Sequence, residues 1–206
     1  MTDGAANPAG SVPSGDLGAR LAFLLEADRL KTIERMTTLI DGSRRENTAE
    51  HSWHLALFAL VLHGSADEPV DLLRVLTLVL VHDLVEIDAG DTFAYDDAGY
   101  ATKAQREQTA ADRLFGILPA LDGAGLRAAW EEFEHGDTPE GRFARALDRL
   151  QPVLLNHARG GGPWREHGIS EERVVARNAP IADGSRELWA EARRRIGELA
   201  ADGRLG

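Results

Sequence analysis

The sequence predicts an all-α fold: a single domain with a C-terminal helical extension. Apolar residues recur at helical spacing between recognisable caps, no stretch alternates as a half-buried strand does, and no internal repeat is present. Its 206 residues, 43% of them hydrophobic, suffice for one sizeable core.

Each element has a local reason. Residues 1–15 are rich in Gly, Ala, Pro and Ser, without a basic start or an apolar signal core, and read as a flexible tail ahead of a domain over 16–206. Asp16 is placed to cap a first helix carrying Leu17, Leu21, Leu24 and Leu25. A second apolar helical segment, 30–40, breaks at Asp41-Gly42-Ser43. Asn47 with Glu50 makes a capping-box pattern, so a helix begins there and runs to about residue 63. Pro69 and Asp71 precede a helix over about 72–89, stopped by Gly90. A polar amphipathic helix follows over 101–117, then a shorter one over 126–134. Thr138-Pro139 opens the next, proline being tolerated in a first turn; it runs towards His157 and meets Gly160-Gly161-Gly162. Helices near 170–178 and 185–201 form the extension, 163–206, to a core of about 30–155.

Composition excludes several classes. The sequence lacks a run of about eighteen uncharged apolar residues, the length a membrane-spanning helix needs, so no membrane partner is expected. Zero cysteines exclude disulfides and thiolate chemistry, and the cytoplasm is the simplest compartment. A net charge of −11 disfavours binding to a nucleic acid polymer. It does not disfavour a small phosphate ester, because a divalent cation and a few arginines reverse the field locally.

Two polar islands interrupt the apolar pattern: Glu50-His51-Ser52-Trp53-His54, and His82-Asp83-Leu84-Val85-Glu86 followed by Asp91. The second follows Leu76-Thr77-Leu78-Val79-Leu80-Val81, which reads as a fully buried helix. Unpartnered polar groups there would cost several kcal/mol of desolvation. At about 100° per residue, His82, Asp83 and Glu86 fall within roughly a 100° arc of one helix, which is the grammar of a metal site. His51 and His54 lie about 60° apart, and one of them need face the metal. A third element offers Asp148, an acid in the core-like run Phe143-Ala144-Arg145-Ala146-Leu147-Asp148. Together His51, His82, Asp83 and Asp148 make a two-nitrogen, two-oxygen set. It suits one borderline divalent ion (Mn, Co, Mg, Fe, Ni or Zn) and leaves positions for water and substrate. Calcium prefers oxygen alone.

Singly, each feature has an ordinary explanation. His54 and His63 read as packed or surface residues, and Asp148 as a salt-bridge partner of Arg145 or Arg149. Arg35 reads equally as an exposed helical arginine beside Glu34 or Glu46. Trp164 and His167 roof the pocket or staple the last helices to the core.

The separated His…His-Asp…Asp pattern resembles that of the HD-domain metal-dependent phosphohydrolases. Within them, Arg44-Arg45-Glu46-Asn47-Thr48-Ala49-Glu50-His51-Ser52, and His82-Asp83-Leu84-Val85-Glu86 followed by Gly90-Asp91, resemble the 5′-deoxynucleotidase branch, over roughly residues 30–155. The stretch Gly161-Gly162-Pro163-Trp164-Arg165-Glu166-His167-Gly168 is similar to a feature of a less characterised HD-hydrolase subgroup. The resemblance implies His51, His82, Asp83 and Asp148 as metal ligands. It implies Glu86 and Asp91 as the catalytic acids that move a proton and organise the attacking water or the transferred phosphate. Arg35 matches a family arginine that contacts substrate phosphate. The family position after it, often a tryptophan packed near the nucleotide sugar, is here Met36, apolar but without the ring. A homodimer acting on (deoxy)nucleoside 5′-monophosphates, releasing nucleoside and phosphate, is what the resemblance implies overall.

Competing readings are a two-metal enzyme, a metal-retaining interaction protein, a nucleotide-binding regulatory module, and a hydrolase of another small phosphoester. The first needs further histidines between the His82-Asp83 pair and Asp148, where only His135 occurs. The second would not require Glu86 or Asp91.

Overall fold

The protein is described by a computed structural model covering residues 15–135 and 138–206. Apart from Gly15, the tail expected over 1–15 lies outside the described residues. The elements in chain order are α1 (Asp16–Ala27), β1 (Glu34–Thr38), β2 (Arg45–Asn47), α2 (Thr48–Leu62), α3 (Leu72–Val81), α4 (Glu86–Ala89), α5 (Asp97–Phe115), α6 (Ala120–His135), α7 (Pro139–Ala158), α8 (Gly162–Glu166), α9 (Glu171–Asn178) and α10 (Arg186–Ala201). Single 3₁₀ turns precede β1 and follow α2 and α9. The fold is a mostly all-α single domain.

The caps explain where most helices start. In α2 both halves of the capping box form: Glu50 N donates to Asn47 Oδ1 at 3.0 Å, and Asn47 N donates to Glu50 Oε2 at 3.1 Å. Asp71, Thr138, Ser170 and Ser185 accept first-turn N–H groups of α3, α7, α9 and α10. Asp16 does not cap α1; Gly15 occupies that position and Asp16 is the first helical residue. Asp96 caps α5, which therefore begins before residue 101. The next helix, α6, starts directly after Pro119 rather than at 126. Its Gly123 is required by packing, since a Cβ there would lie 2.3 Å from the Phe115 carbonyl oxygen.

Two expectations need correction. Residues 30–40 are not a helix: a 3₁₀ turn over Asp28–Thr32 leads into β1, which pairs antiparallel with β2, Glu34 opposite Asn47 and Thr38 opposite Arg45. The β-branched Thr37-Thr38, followed by a turn that needs φ 74° at Gly42, favours extended pairing over a helical turn. The helix expected over 72–89 breaks at the His82-Asp83 pair. There, bonds from Leu84 N to Val81 O and from Glu86 N to Asp83 O tighten the backbone before α4 resumes, and Gly90, at φ 73°, ends it. The short α8, not anticipated from sequence, begins on the last of three consecutive glycines at positive φ, Gly160 to Gly162.

The long α7 is the axis of the molecule. Phe143, Leu147, Leu150 and Val153 on it are buried with Leu55 and Ala59 of α2, Val75, Leu78 and Val79 of α3, and Ile196 and Leu199 of α10. Each of the Val, Leu, Ile and Phe side chains contributes about 1.5–3 kcal/mol of burial. The last two helices share this core. A smaller cluster of Leu30, Ile87 and Leu114 pins the turn before β1 onto α4 and α5, which places β1 beside the break after α3.

Candidate metal centre and substrate cleft

Two helices and one broken turn deliver the cluster. His51 lies in the first turns of α2, fully buried; His82, 3% exposed, and Asp83 occupy the break after α3; Asp148 comes from the middle of α7. His51 Nε2 lies 3.0 Å from Asp148 Oδ1 and 3.9 Å from Asp83 Oδ2. His82 Nε2 lies 3.0 Å from Asp83 Oδ1 and 3.8 Å from Asp148 Oδ1. Ligand-type atoms of His51, His82 and Asp83 fall within 4.8 Å of one another.

His82 tests whether a metal fits here. Its Nδ1 lies 3.0 Å from the Val79 carbonyl oxygen, which can only accept, so one ring proton is fixed at Nδ1. Nε2 is buried, has no hydrogen-bond partner, and faces the two carboxylates. A ring oriented this way presents Nε2 to a cation. Burial alone would lower its pKa, but Asp83 and Asp148 outweigh burial and push it up to about 9. The carboxylates thus hold a proton at the position an ion would take. Burial and the Arg35 charge take His51 the other way, to about 4. Against burial, His82 and Arg35 hold Asp83 down to about 2, and the two histidines hold Asp148 well below the usual carboxylate range. A neutral imidazole and two ionised carboxylates are the donor states a divalent ion needs.

Arg35 reaches from β1 into the middle of these groups, its side chain 13% exposed. Its Nη1 donates to Asp83 Oδ2 at 2.9 Å and lies 3.8 Å from Asp91 Oδ1. Glu86, 5% exposed, accepts from the Thr48 hydroxyl at 3.0 Å; burial and the Asp83 charge raise its carboxyl well above the ordinary value. Burial also raises Asp91, with Arg35 opposing. Arg35, His82, Asp83, Glu86, Asp91 and Asp148 all line one cavity of about 220 Å³. A smaller lobe of about 90 Å³ shares Arg35, Asp91 and Asp148 with it and adds Met36, Phe93, Tyr95, Asn156 and Trp164. The structure therefore brings together all eight residues singled out from the sequence. His54 stays outside, receiving a hydrogen bond from Gln151 at 3.3 Å. Trp164 both lines the outer lobe and packs in the core, while His167 sits 5.1 Å from the Phe93 ring.

Sequence reasoning missed part of the support. Glu46, 2% exposed, accepts from Gln151 Nε2 at 2.7 Å and places Oε2 3.7 Å from His51 Nδ1 and 3.9 Å from Arg35 Nε. Burial, with Arg35 opposing, pushes it up to about 7. Its signal was its place inside the first motif, between Arg45 and Asn47. Lys103, Arg145, Arg149 and Arg177 also line the inner cavity.

A helical fold that gathers two histidines, two aspartates and an arginine around an acid-lined cavity defines a metal-dependent hydrolase of phosphoesters. Residues 27–189 match the HD domain family, and the chain belongs to that family. It is similar to the 5′-deoxynucleotidase HDDC2 of Bos taurus, 31% identical over 140 residues, covering 66% of this chain and 67% of the relative. The Homo sapiens protein of the same name is 30% identical over 140 residues, with 66% and 67% covered. A crystal structure described as a predicted metal-dependent phosphohydrolase from Magnetospirillum magnetotacticum MS-1 superposes with a TM-score of 0.87 at 48% identity, covering 93% of this chain and 98% of the other. The protein is an HD-type phosphoester hydrolase that uses a divalent metal. Among the described residues, no helix is long and apolar enough to cross a membrane.

Proposed function

We propose that this chain hydrolyses (deoxy)nucleoside 5′-monophosphates to nucleoside and inorganic phosphate. The observation that carries the reading is Arg35, a buried cation 2.9 Å from Asp83 at the mouth shared by the metal cluster and an aromatic-lined lobe. A phosphate held at Arg35 would leave its nucleoside against Met36, Phe93, Tyr95 and Trp164. The 5′-deoxynucleotidase relatives support the same substrate.

When held by His51, His82, Asp83 and Asp148, a divalent ion supplies Lewis acidity and an activated nucleophile at neutral pH. Arg35 stabilises the negative charge that develops on the phosphoryl oxygens. Glu86, whose carboxyl burial and Asp83 bias towards its protonated form, gives a proton to the departing 5′ oxygen as the ester P–O bond breaks. Asp91, beside Arg35, orients the water whose oxygen forms the new P–O bond.

The test is phosphate release from a panel of ribo- and deoxyribonucleoside 5′-monophosphates, using metal-stripped protein resupplied with manganese, cobalt, magnesium or zinc. Turnover should return with metal and fall at least about 10²-fold in Glu86→Gln. Met36→Trp should raise the deoxy-to-ribo ratio. Absence of turnover on every nucleotide, in protein that binds metal, would overturn the substrate reading.

The same reading carries cytoplasmic residence and a homodimer. Trp53, Leu57, Leu60 and Val61 lie along one flank of α2 and are 61%, 39%, 48% and 77% exposed. Sedimentation should show a dimer that Val61→Glu converts to monomer; a monomeric parent protein would remove this part.

A further inference from the structure

Many arginines of this acidic chain are ion-paired. Arg20 pairs with Asp122, Arg44 with Glu50, Arg113 with Asp88 and Arg186 with Asp67. Arg145 and Arg149 on α7 and Arg177 on α9 make no ion pair among the described residues, yet all three line the inner cavity. With net charge −11, carboxylates are in excess. Three unpaired cations on one cavity wall therefore call for an anion.

Their hydrogen bonds go to neutral groups. Arg149 Nη1 donates to the Arg177 carbonyl oxygen at 2.6 Å, and Arg177 Nη2 donates to the Tyr100 hydroxyl at 3.0 Å. Arg145 Nε is buried with no partner. These contacts orient the guanidiniums without compensating their charge. Asp148 stands between Arg145 and Arg149 in sequence but turns its carboxylate to His51 and His82. Of the other two cations lining this cavity, Lys103 is paired with Glu107 at 2.5 Å and Arg35 with Asp83.

We propose that Arg145, Arg149 and Arg177 form a second-phosphate site, holding a phosphate of the substrate other than the one attacked at the metal centre. Arg35 already serves the metal side from β1, whereas these three approach from α7 and α9. The cavity of about 220 Å³ between them exceeds the roughly 10–15 Å³ that one water needs many times over, so it has room for more than one small group. Arg149 and Arg177 also border the outer lobe, so the second phosphate lies where the two lobes meet. Planar guanidiniums freed from carboxylates are suited to bidentate phosphate binding. Nucleoside 3′,5′-bisphosphates and 5′-diphosphates both carry such a group.

The inference rests on the nucleotidase reading for the identity of the first phosphate, and the test separates the two. Manganese-loaded protein is assayed on a nucleoside 5′-monophosphate, its 5′-diphosphate and its 3′,5′-bisphosphate. Calorimetry on Glu86→Gln protein measures binding of the same three without turnover. One doubly phosphorylated nucleotide should bind at least tenfold more tightly than the monophosphate, and which one locates the second phosphate. Arg177→Gln and Arg145→Gln should weaken that ligand at least tenfold more than they weaken the monophosphate, at unchanged melting temperature. Tighter binding without hydrolysis would sink the nucleotidase reading and leave this site standing. Equal weakening of all three, or no advantage for a second phosphate, would overturn the site.

Discussion

His82→Ala protein is expected to lose its metal and, with it, on the order of 10³-fold in kcat/KM. The reasoning starts from the ring's fixed orientation: Nδ1 is tied to Val79 O, so Nε2 has one task, facing Asp83 and Asp148. Loss of Lewis-acid stabilisation is worth several kcal/mol, and each 1.36 kcal/mol is about tenfold. Metal content measured by mass spectrometry should fall from about one ion per chain to near none. Chelation supplies the independent readout. At a metal concentration of about 100 Kd, binding stabilises the folded state by about 2.7 kcal/mol. For a chain of this size that is a melting-temperature fall of about 5–10 °C on adding chelator. The parent protein should show the fall and His82→Ala should not. Because the His82 ring also packs 4.4 Å from Phe133, Asp83→Asn serves as a second variant that keeps the volume. A His82→Ala protein that holds stoichiometric metal and keeps its turnover would remove His82 from the ligand set.

The metal cluster was legible in sequence because its grammar is local. A histidine-aspartate pair after an apolar helix, a second histidine directly after a capping box and an acid in a core-like helix each break their own apolar pattern, and breaking it is costly without a partner. The helical caps were legible for the same reason. Arg35 was harder. As a helical residue it would have been one exposed arginine among many, and only the strand at 34–38 turns it into the site. That strand escaped because three to five residues are too few to establish a period of two. The break at His82 escaped because tightened i to i+3 bonds leave no mark on the apolar pattern. Glu46, Gln151 and the arginines of the cavity wall escaped for another reason. Polar and charged residues look alike in sequence, whether they face water or a buried cleft. Arg145 and Arg149, in sequence the obvious partners of Asp148, prove to make no pair with it among the described residues.

Arg35→Gln is expected to lower kcat/KM by about 10²–10³-fold while leaving the metal in place. Arg35 is a cation close to the metal cluster, so its charge opposes an incoming divalent ion. Its loss removes that repulsion, and metal affinity should hold or rise. Activity should fall regardless, because Arg35 is the cation that β1 brings beside the metal cluster. Metal retained with activity lost is the signature that separates Arg35 from the four proposed ligands, whose removal should cost both. Stability of the metal-free protein should also fall. The pair with Asp83, each side chain 13% exposed, sits near Asp91 and Glu46, and removing one partner of such a pair typically costs about 3–5 kcal/mol. Adding metal should recover much of that loss, since the ion compensates the same carboxylates. Arg35→Lys keeps the charge but not the planar fork, so it should restore metal-free stability more fully than turnover. Metal titration, melting temperature with and without manganese, and kcat/KM measured on the three proteins decide the point. Unchanged turnover in Arg35→Gln would show that the phosphate is gripped elsewhere, and loss of metal would show that Arg35 organises the ligands instead.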